Sequence, residues 1–112
     1  VQLRQNRVYE LDDILQVDQL VLNLVSHEVS VDGNDVHLTK TEYAILKLLM
    51  KNPSQAIAKS VILDRISEDT PDCTENSLKQ HISNLRKKLR DVTGKEYIEA
   101  VWGIGFRLSK ES

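Results

Sequence analysis

The segment of residues 74–92 constrains the fold most, because its apolar side chains lie along one side of a helix. They recur at intervals of four, three and four residues: Leu78, Ile82, Leu85 and Leu89. This spacing is that of an amphipathic helix whose apolar stripe faces a core. The opposite side carries amides, hydroxyls and cations: Asn76, Gln80, Ser83 and Lys87 at its centre, with Lys79, Asn84 and Arg90 on its flanks. The pattern predicts a packed helix with a polar, basic outer face.

Two further helices are predicted before this segment. Thr39 and Glu42 have the spacing of a capping box, in which each side chain bonds to the backbone N–H of the other residue. A strongly apolar helix follows and ends near Pro53, because proline disfavours helical backbone in the residue before it. Residues 59–67 form a shorter helix with an inward apolar face, for which Ala58 is a weak N-cap.

Short alternating and β-branched stretches predict strands on both sides of the helices. Four of them, residues 15–17, 20–25, 28–31 and 35–38, form an N-terminal antiparallel sheet with a turn at residues 32–34. Residues 56–58 form a brief strand. Residues 97–101 and 104–108 form a C-terminal hairpin, whose turn contains Gly103 and Gly105. The predicted class is α+β, with a four-stranded sheet, a three-helix core and a closing hairpin.

The length of 112 residues suits one domain. Residues 1–13 lack clear periodicity and are predicted to be a linker, which leaves residues 14–112 as the domain. Because the first residue is not Met, we expect a fragment or a processed product. No apolar run is long enough to span a membrane. The single cysteine, Cys73, forms no internal disulfide, and this favours a reducing, cytoplasmic compartment.

The charge is unevenly distributed along the chain. The net charge is −2, but residues 1–39 hold two basic and seven acidic side chains, whereas residues 75–112 hold eight basic and five acidic ones. Residues 79–90 contain five cations and no acid: Lys79, Arg86, Lys87, Lys88 and Arg90. Because charges more than roughly 8 Å away are screened at physiological salt, an anionic partner responds to this local patch. The acidic average therefore does not exclude nucleic acid.

The outer face of the third helix has side chains suited to DNA. Gln80 and Asn84 can pair with the N6 and N7 edge of adenine, and Lys79 can reach a guanine or a phosphate. Arg86, Lys87 and Arg90 lie where a helix that leaves the groove meets the phosphate backbone. A solvated helix face explains the same residues equally well when the helix is considered alone. The hairpin after the helix favours DNA, since a helix pair followed by a two-stranded hairpin is a known docking arrangement.

Other chemistry has little support in the sequence. His27, His37 and His81 are too scattered for a zinc site, and no cysteine pair assists them. Gly103 and Gly105 lack the third glycine and the following helix of a dinucleotide-binding loop, so they are assigned to a turn. We therefore expect neither a cofactor nor an enzyme.

Three segments, in order and at the expected spacing, resemble the effector domain of OmpR/PhoB-type response regulators. They are residues 38–46 (LTKTEYAIL), residues 81–89 (HISNLRKKL) and residues 103–107 (GIGFR). The resemblance covers about residues 15–109. Residues 1–7 also resemble the end of a receiver domain that runs into a linker. The fold implied is a winged helix-turn-helix, and the function implied is DNA binding and transcription regulation in a two-component system.

The resemblance implies roles for individual residues. The recognition helix would face DNA with Asn76, Ser77, Lys79, Gln80, Ser83, Asn84, Arg86 and Lys87, to which the charge pattern adds Arg90. The hairpin, or wing, would touch the adjacent minor groove or its phosphates through Trp102 and Arg107. The loop of residues 67–73 would contact RNA polymerase through Glu68, Asp69 and Asp72. Dimerisation on DNA and a receiver domain with the phosphoacceptor are also implied.

The sequence departs from the family pattern at several positions. Ser67 and Glu68 stand where a Trp-Gly pair is usual, and Asn76 replaces a frequent Arg. Trp102 replaces another Arg, and it either packs against a sugar or turns inward. The alternative function is a winged helix that docks an acidic protein partner. A pull-down that survives nuclease treatment, without duplex binding, would distinguish it from a DNA-binding domain.

Overall fold

The computed structural model describes the backbone of residues 9–11 and 13–108 and the side chains of residues 13–108. The chain order is β1 (Tyr9–Leu11), β2 (Ile14–Val17), β3 (Leu20–Asn23), β4 (Val29–Val31), β5 (Asn34–Val36), α1 (Lys40–Lys51), β6 (Ile57–Ala58), α2 (Lys59–Ile66), α3 (Glu75–Thr93), β7 (Ile98–Val101) and β8 (Gly105–Leu108). The predicted elements are all present, and most of their ends differ from the prediction by one or two residues.

The N-terminal sheet is an antiparallel meander in the order β1-β2-β3-β4-β5. Strands β2 to β5 are the four predicted strands, and alternate residues such as Leu15 and Val17 are buried. Strand β1 is an additional edge strand, paired with β2 through Leu11 and Ile14. It lies inside the segment predicted to be a linker. The sequence did not reveal it, because a three-residue strand is too short to show an alternating pattern. The rest of that segment lies outside the described residues, apart from Asp13.

The turn between β4 and β5 contains two residues rather than three. Val31 pairs with Asn34, so Asn34 is already the first residue of β5. Asp32 and Gly33 form the turn with φ values of 56° and 84°. Two successive residues with positive φ match the right-handed twist of the flanking strands, and Asp-Gly is a favoured pair for such a turn.

Helix α1 occupies the centre of the molecule. Ile45, Leu46, Leu49 and Met50 are completely buried. The predicted capping box is confirmed: the Thr39 hydroxyl accepts from the Glu42 N–H, and the Glu42 carboxylate accepts from the Thr39 N–H. Helix α1 therefore starts at a fixed residue beneath the sheet.

Helix α3 buries the predicted stripe of Leu78, Ile82, Leu85 and Leu89 against α1 and α2. It begins with a second capping box, in which the Thr74 and Ser77 side chains bond to each other's backbone N–H. It ends at Gly94, whose φ of 77° is left-handed. Helix α2 has no such cap, since Ala58 provides no side-chain hydrogen bond.

The C-terminal hairpin of β7 and β8 adds β6 as a third strand, in the order β6-β8-β7. Gly103 lies in the turn with a φ of 78°. Gly105 was assigned to the same turn, but it has a different role. A Cβ at residue 105 would overlap the carbonyl oxygen of Ile57 and lie 2.8 Å from the Ala58 Cα. Glycine is required there because two backbones approach closely.

Candidate nucleic-acid interface

The outer face of α3 is open. Asn76, Lys79, Gln80, Ser83 and Lys87 are exposed, while the leucine stripe opposite them is buried. No ion pair to Lys79 occurs among the described residues. The helix is held by its apolar side, so its polar side is available for a partner.

The two amides proposed to read bases touch each other. The Gln80 side-chain amide donates to Oδ1 of Asn84 at 3.0 Å, one turn along the helix. This contact holds both side chains on the outer face, and among the described residues the Asn84 amide N–H group has no acceptor. Bidentate pairing with adenine by either residue requires that this hydrogen bond opens or is shared.

Ser77 has a structural role at the start of α3. It is half-buried, its N–H donates to the Thr74 hydroxyl, and its own hydroxyl accepts from the Thr74 N–H at 2.9 Å. The resemblance placed Ser77 among the residues facing DNA, whereas the structure places it in the helix cap.

The cations in the second half of α3 are paired with acids. Arg90 donates to Glu96 at 2.9 Å, and Arg86 lies 3.6 Å from the other oxygen of the same carboxylate. Lys87 lies 3.3 Å from Asp91. A phosphate that binds here therefore has to compete with acids that belong to the chain.

Glu96 was not singled out from the sequence, although it lies in the loop next to the basic segment. Its hydrogen bond to Arg90 lowers the pKa of the Glu96 carboxyl, with smaller contributions from the charges of Arg90 and Arg86. The same hydrogen bond raises the pKa of Arg90. The Nε of Arg86 is buried and has no hydrogen-bond partner among the described residues. Glu96 is therefore a partner shared by both guanidinium groups.

Lys88 is half-buried and faces α1 rather than the outer side of α3. Its Nζ lies 2.6 Å from the buried Glu42 carboxylate of α1. One of the five cations counted in the basic segment is thus neutralised by a buried acid of the same chain.

The wing projects an apolar tip. Trp102 is 96% exposed and Ile104 is 55% exposed. Of the two orientations considered for Trp102, the structure has the outward one. Arg107, on β8, is ion-paired with Glu99 on β7. An open groove of about 390 Å³ runs beside the tip, and Lys59 is among the residues that line it.

Comparisons with known proteins agree with this geometry. The family model described as "Transcriptional regulatory protein, C terminal" matches residues 33–108. The chain belongs to this family. The OmpR/PhoB-type resemblance and the winged-helix fold predicted from the sequence are confirmed.

Individual relatives resemble this regulatory C-terminal domain at 28% to 37% sequence identity. It is 37% identical over 97 residues to the transcriptional regulatory protein TrcR of Mycobacterium tuberculosis, an alignment that covers 87% of the chain and 37% of TrcR. It is 28% identical over 101 residues to the regulatory protein VanR of Enterococcus faecium, and here the alignment covers 88% of the chain and 44% of VanR. The domain therefore spans less than half the length of these relatives.

A solved structure has the same architecture. The DNA-binding domain of Klebsiella pneumoniae RstA, crystallised in complex with the RstA box, superposes with a TM-score of 0.72 at 25% identity. The superposition covers 88% of this chain and 98% of that one. Winged-helix architecture is thus shared along almost the whole of both domains.

The loop before α3 is anchored by a residue that the sequence reading missed. Thr70 is buried, and its hydroxyl donates to the Ile66 carbonyl at 2.9 Å. Glu68, Asp69 and Asp72 are exposed around it. The regulatory domain therefore presents three acids on a fixed turn, although the usual Trp-Gly pair is absent.

The histidines of the regulatory domain do not converge on a metal site. No cluster of three or more metal-ligating side chains occurs among the described residues. His27 stacks on Tyr43 with ring centroids 4.4 Å apart. Within the same part of the chain, no helix is long and apolar enough to cross a membrane.

Proposed function

We propose that this domain binds double-stranded DNA, with α3 in the major groove, and regulates transcription as the output half of a response regulator. The exposed polar face of α3 is the observation that carries the proposal. Its amides and hydroxyls, on Asn76, Gln80, Ser83 and Asn84, lie over about the first half of the helix, and its cations lie mainly towards the C-terminus. Base readout and phosphate contact are therefore separated along one helix.

The relatives support the same function. The DNA-binding domain of RstA was crystallised in complex with the RstA box, and that of the response regulator AdeR in complex with an intercistronic region. Both have this fold at 25% identity. We infer that α3 and the wing of this chain approach DNA in a similar orientation, with Trp102 and Arg107 near the minor groove.

Further parts of the proposal concern partners beyond DNA. A receiver domain precedes this domain in the full-length protein, and two copies bind half-sites about one helical turn apart. The acids Glu68, Asp69 and Asp72 form the contact with RNA polymerase. The protein acts in the cytoplasm, where its DNA lies, and it functions by binding rather than by catalysis.

Selection from a randomised duplex pool tests the central claim. The chain should enrich a defined motif, and Gln80→Ala or Asn84→Ala should change the preferred base at one or two positions. Lys87→Ala should weaken binding to every duplex and reduce the salt slope by about one. Lys51→Ala, on the exposed end of α1, is the matched charge control and should leave base preference unchanged.

The outcome that contradicts the proposal is specific. The proposal fails if the selection enriches no motif and Lys87→Ala keeps the wild-type salt dependence. A protein partner captured after nuclease treatment, without duplex binding at low salt, would then favour the protein-interaction alternative.

A further inference from the structure

The tip of the wing is the most exposed apolar feature among the described residues. Trp102 is 96% exposed and Ile104 is 55% exposed, on either side of Gly103. We propose that these two side chains form an apolar wedge that enters the minor groove beside the major groove occupied by α3. The wedge makes binding tighter at DNA sequences whose base pairs unstack easily. This inference rests on the proposed DNA-binding function.

The tip is held in position by the hairpin. The Ile104 N–H donates to the Val101 carbonyl at 2.9 Å, and Val101 pairs directly with Gly105. At the other end of the strands, Ile98 and Leu108 are buried in the core. Four strand residues at about 3.3 Å each carry the tip roughly 13 Å from that anchor. The two exposed side chains are therefore the leading edge of a fixed projection.

The tip has no charge of its own. Residues 101–106 contain no ionisable side chain, and the Arg107 guanidinium beyond them is paired with Glu99. Such a tip neutralises no phosphate, and it releases few counterions on binding. Its free energy of binding comes instead from removing an indole and a branched alkyl group from water, against sugars or between base pairs.

The chemistry of the indole indicates the sequence preference. An apolar wedge is accommodated most easily at pyrimidine–purine steps, which unstack with little resistance. The Trp102 N–H can donate to the adenine N3 or thymine O2 acceptors on the groove floor, where the guanine amino group would block it. Lys59 lines the same groove as the tip and supplies the nearest cation for an adjacent phosphate among the residues that line it. We therefore expect a preference for a TA step under the wing.

The chain contains a built-in reporter for this contact, since Trp102 is its only tryptophan. The experiment titrates the chain with its selected duplex, while DNA anisotropy reports binding and indole emission reports the wing. Binding should quench and shift the emission. Trp102→Ala should weaken binding about tenfold, the loss expected for one aromatic contact to a base, without changing the salt slope. Trp102→Arg should recover affinity with a steeper salt slope.

A second comparison tests the deformability claim. Replacing the TA step under the wing by a GC step should weaken wild-type binding several-fold and leave the Trp102→Ala variant almost unaffected. Because the side chain is 96% exposed, Trp102→Ala should keep the wild-type melting temperature. A loss of affinity with unchanged melting then belongs to the contact and not to unfolding.

The outcomes separate this inference from the proposed function. If anisotropy shows binding while the emission and the Trp102→Ala affinity stay unchanged, the wedge is wrong and DNA binding stands. If no duplex binds, the proposed function fails first. An emission shift that depends on protein concentration without DNA would place a second copy of the chain on the tip, and this also overturns the wedge.

Discussion

Lys88 Nζ lies 2.6 Å from Oε1 of Glu42, a carboxylate that is 1% exposed at the first turn of α1. The same oxygen accepts the Thr39 N–H at 3.0 Å. One buried atom thus joins the cap of the central helix to the third helix, 46 residues further along the chain. This ion pair, together with the leucine stripe, fixes how α3 is rotated about its axis.

Replacing Lys88 by Met should destabilise the domain, because it leaves a buried carboxylate without its cation. We expect the free energy of unfolding in urea to fall by about 2 kcal/mol, less than for a completely buried pair because Lys88 itself is partly exposed. Lys87→Met is the matched control on the neighbouring residue, where both partners are exposed, and it should cost less than about 0.5 kcal/mol. Equal effects of the two changes would show that Glu42 does not depend on Lys88.

Glu96→Gln should tighten DNA binding, since it frees Arg86 and Arg90 for phosphates. Each released cation steepens the dependence of log K on log salt by about 0.9. Affinities for one duplex at several salt concentrations measure this effect. Glu68→Gln removes the same charge from an exposed loop and controls for the change in net charge. Weaker binding by the Glu96 variant would mean that the carboxylate orients the arginines for DNA rather than competing with it.

Gly105→Ala should destabilise the wing, because the added Cβ overlaps the Ile57 carbonyl of β6. Strands β6 and β8 have to move apart to remove this overlap. We expect the free energy of unfolding to fall by about 3 kcal/mol. Gly33→Ala is the control: its φ is 84° but no atom lies within 4 Å of the added Cβ. The control should cost about 1 kcal/mol for the backbone conformation alone. Urea unfolding of both variants tests this, and a smaller cost at Gly105 than at Gly33 would contradict it.

Stability should fall above pH 10 because of two tyrosines. Burial, with a contribution from Asp69, raises the pKa of Tyr43, and burial also raises the pKa of Tyr97. In the unfolded chain each phenol loses its proton near pH 10. Between that value and the raised folded pKa the unfolded state binds fewer protons, so the free energy of unfolding decreases as the pH rises.

Urea unfolding at pH 8, about pH 10 and about pH 11 measures this decrease. The Tyr97→Phe variant keeps the aromatic ring but removes the ionisable hydroxyl. Its stability should decline less than that of the wild type over the alkaline range, while the lysine contributions remain the same in both. Parallel curves for the two proteins would exclude Tyr97 as a cause.

The features of the fold that depend on residue spacing within one helix or strand were predictable from the sequence. The stripe from Leu78 to Leu89 and the Thr39 capping box rest on spacing within a single element, and both are present in the structure. Strand β1 could not be predicted, because three residues with one partner strand show no alternation. The role of Gly105 could not be predicted either, since it depends on β6, a strand more than 40 residues earlier in the chain.

The sequence predicted which face of α3 is exposed, but not which contacts the side chains of that face make. Helical spacing placed Lys79, Gln80 and Ser83 on the outer side, where they are exposed. It could not indicate that Arg86 and Arg90 share Glu96, because that contact depends on where the loop after Gly94 turns. A count of charges treats Lys88 and Lys79 alike, although Lys88 is paired with a buried carboxylate and Lys79 is exposed.

The close approach at Gly105 also determines how the domain meets any partner. Strand β6 leads without a linking residue into α2, which packs on α3, so hairpin and helices are joined by main-chain hydrogen bonds as well as by the core. Helix α3 and the wing, the two surfaces proposed to contact DNA, are thereby linked through β6 and α2. A partner that contacts both surfaces therefore meets them at a spacing that the fold already sets, which keeps the entropic cost of ordering them small.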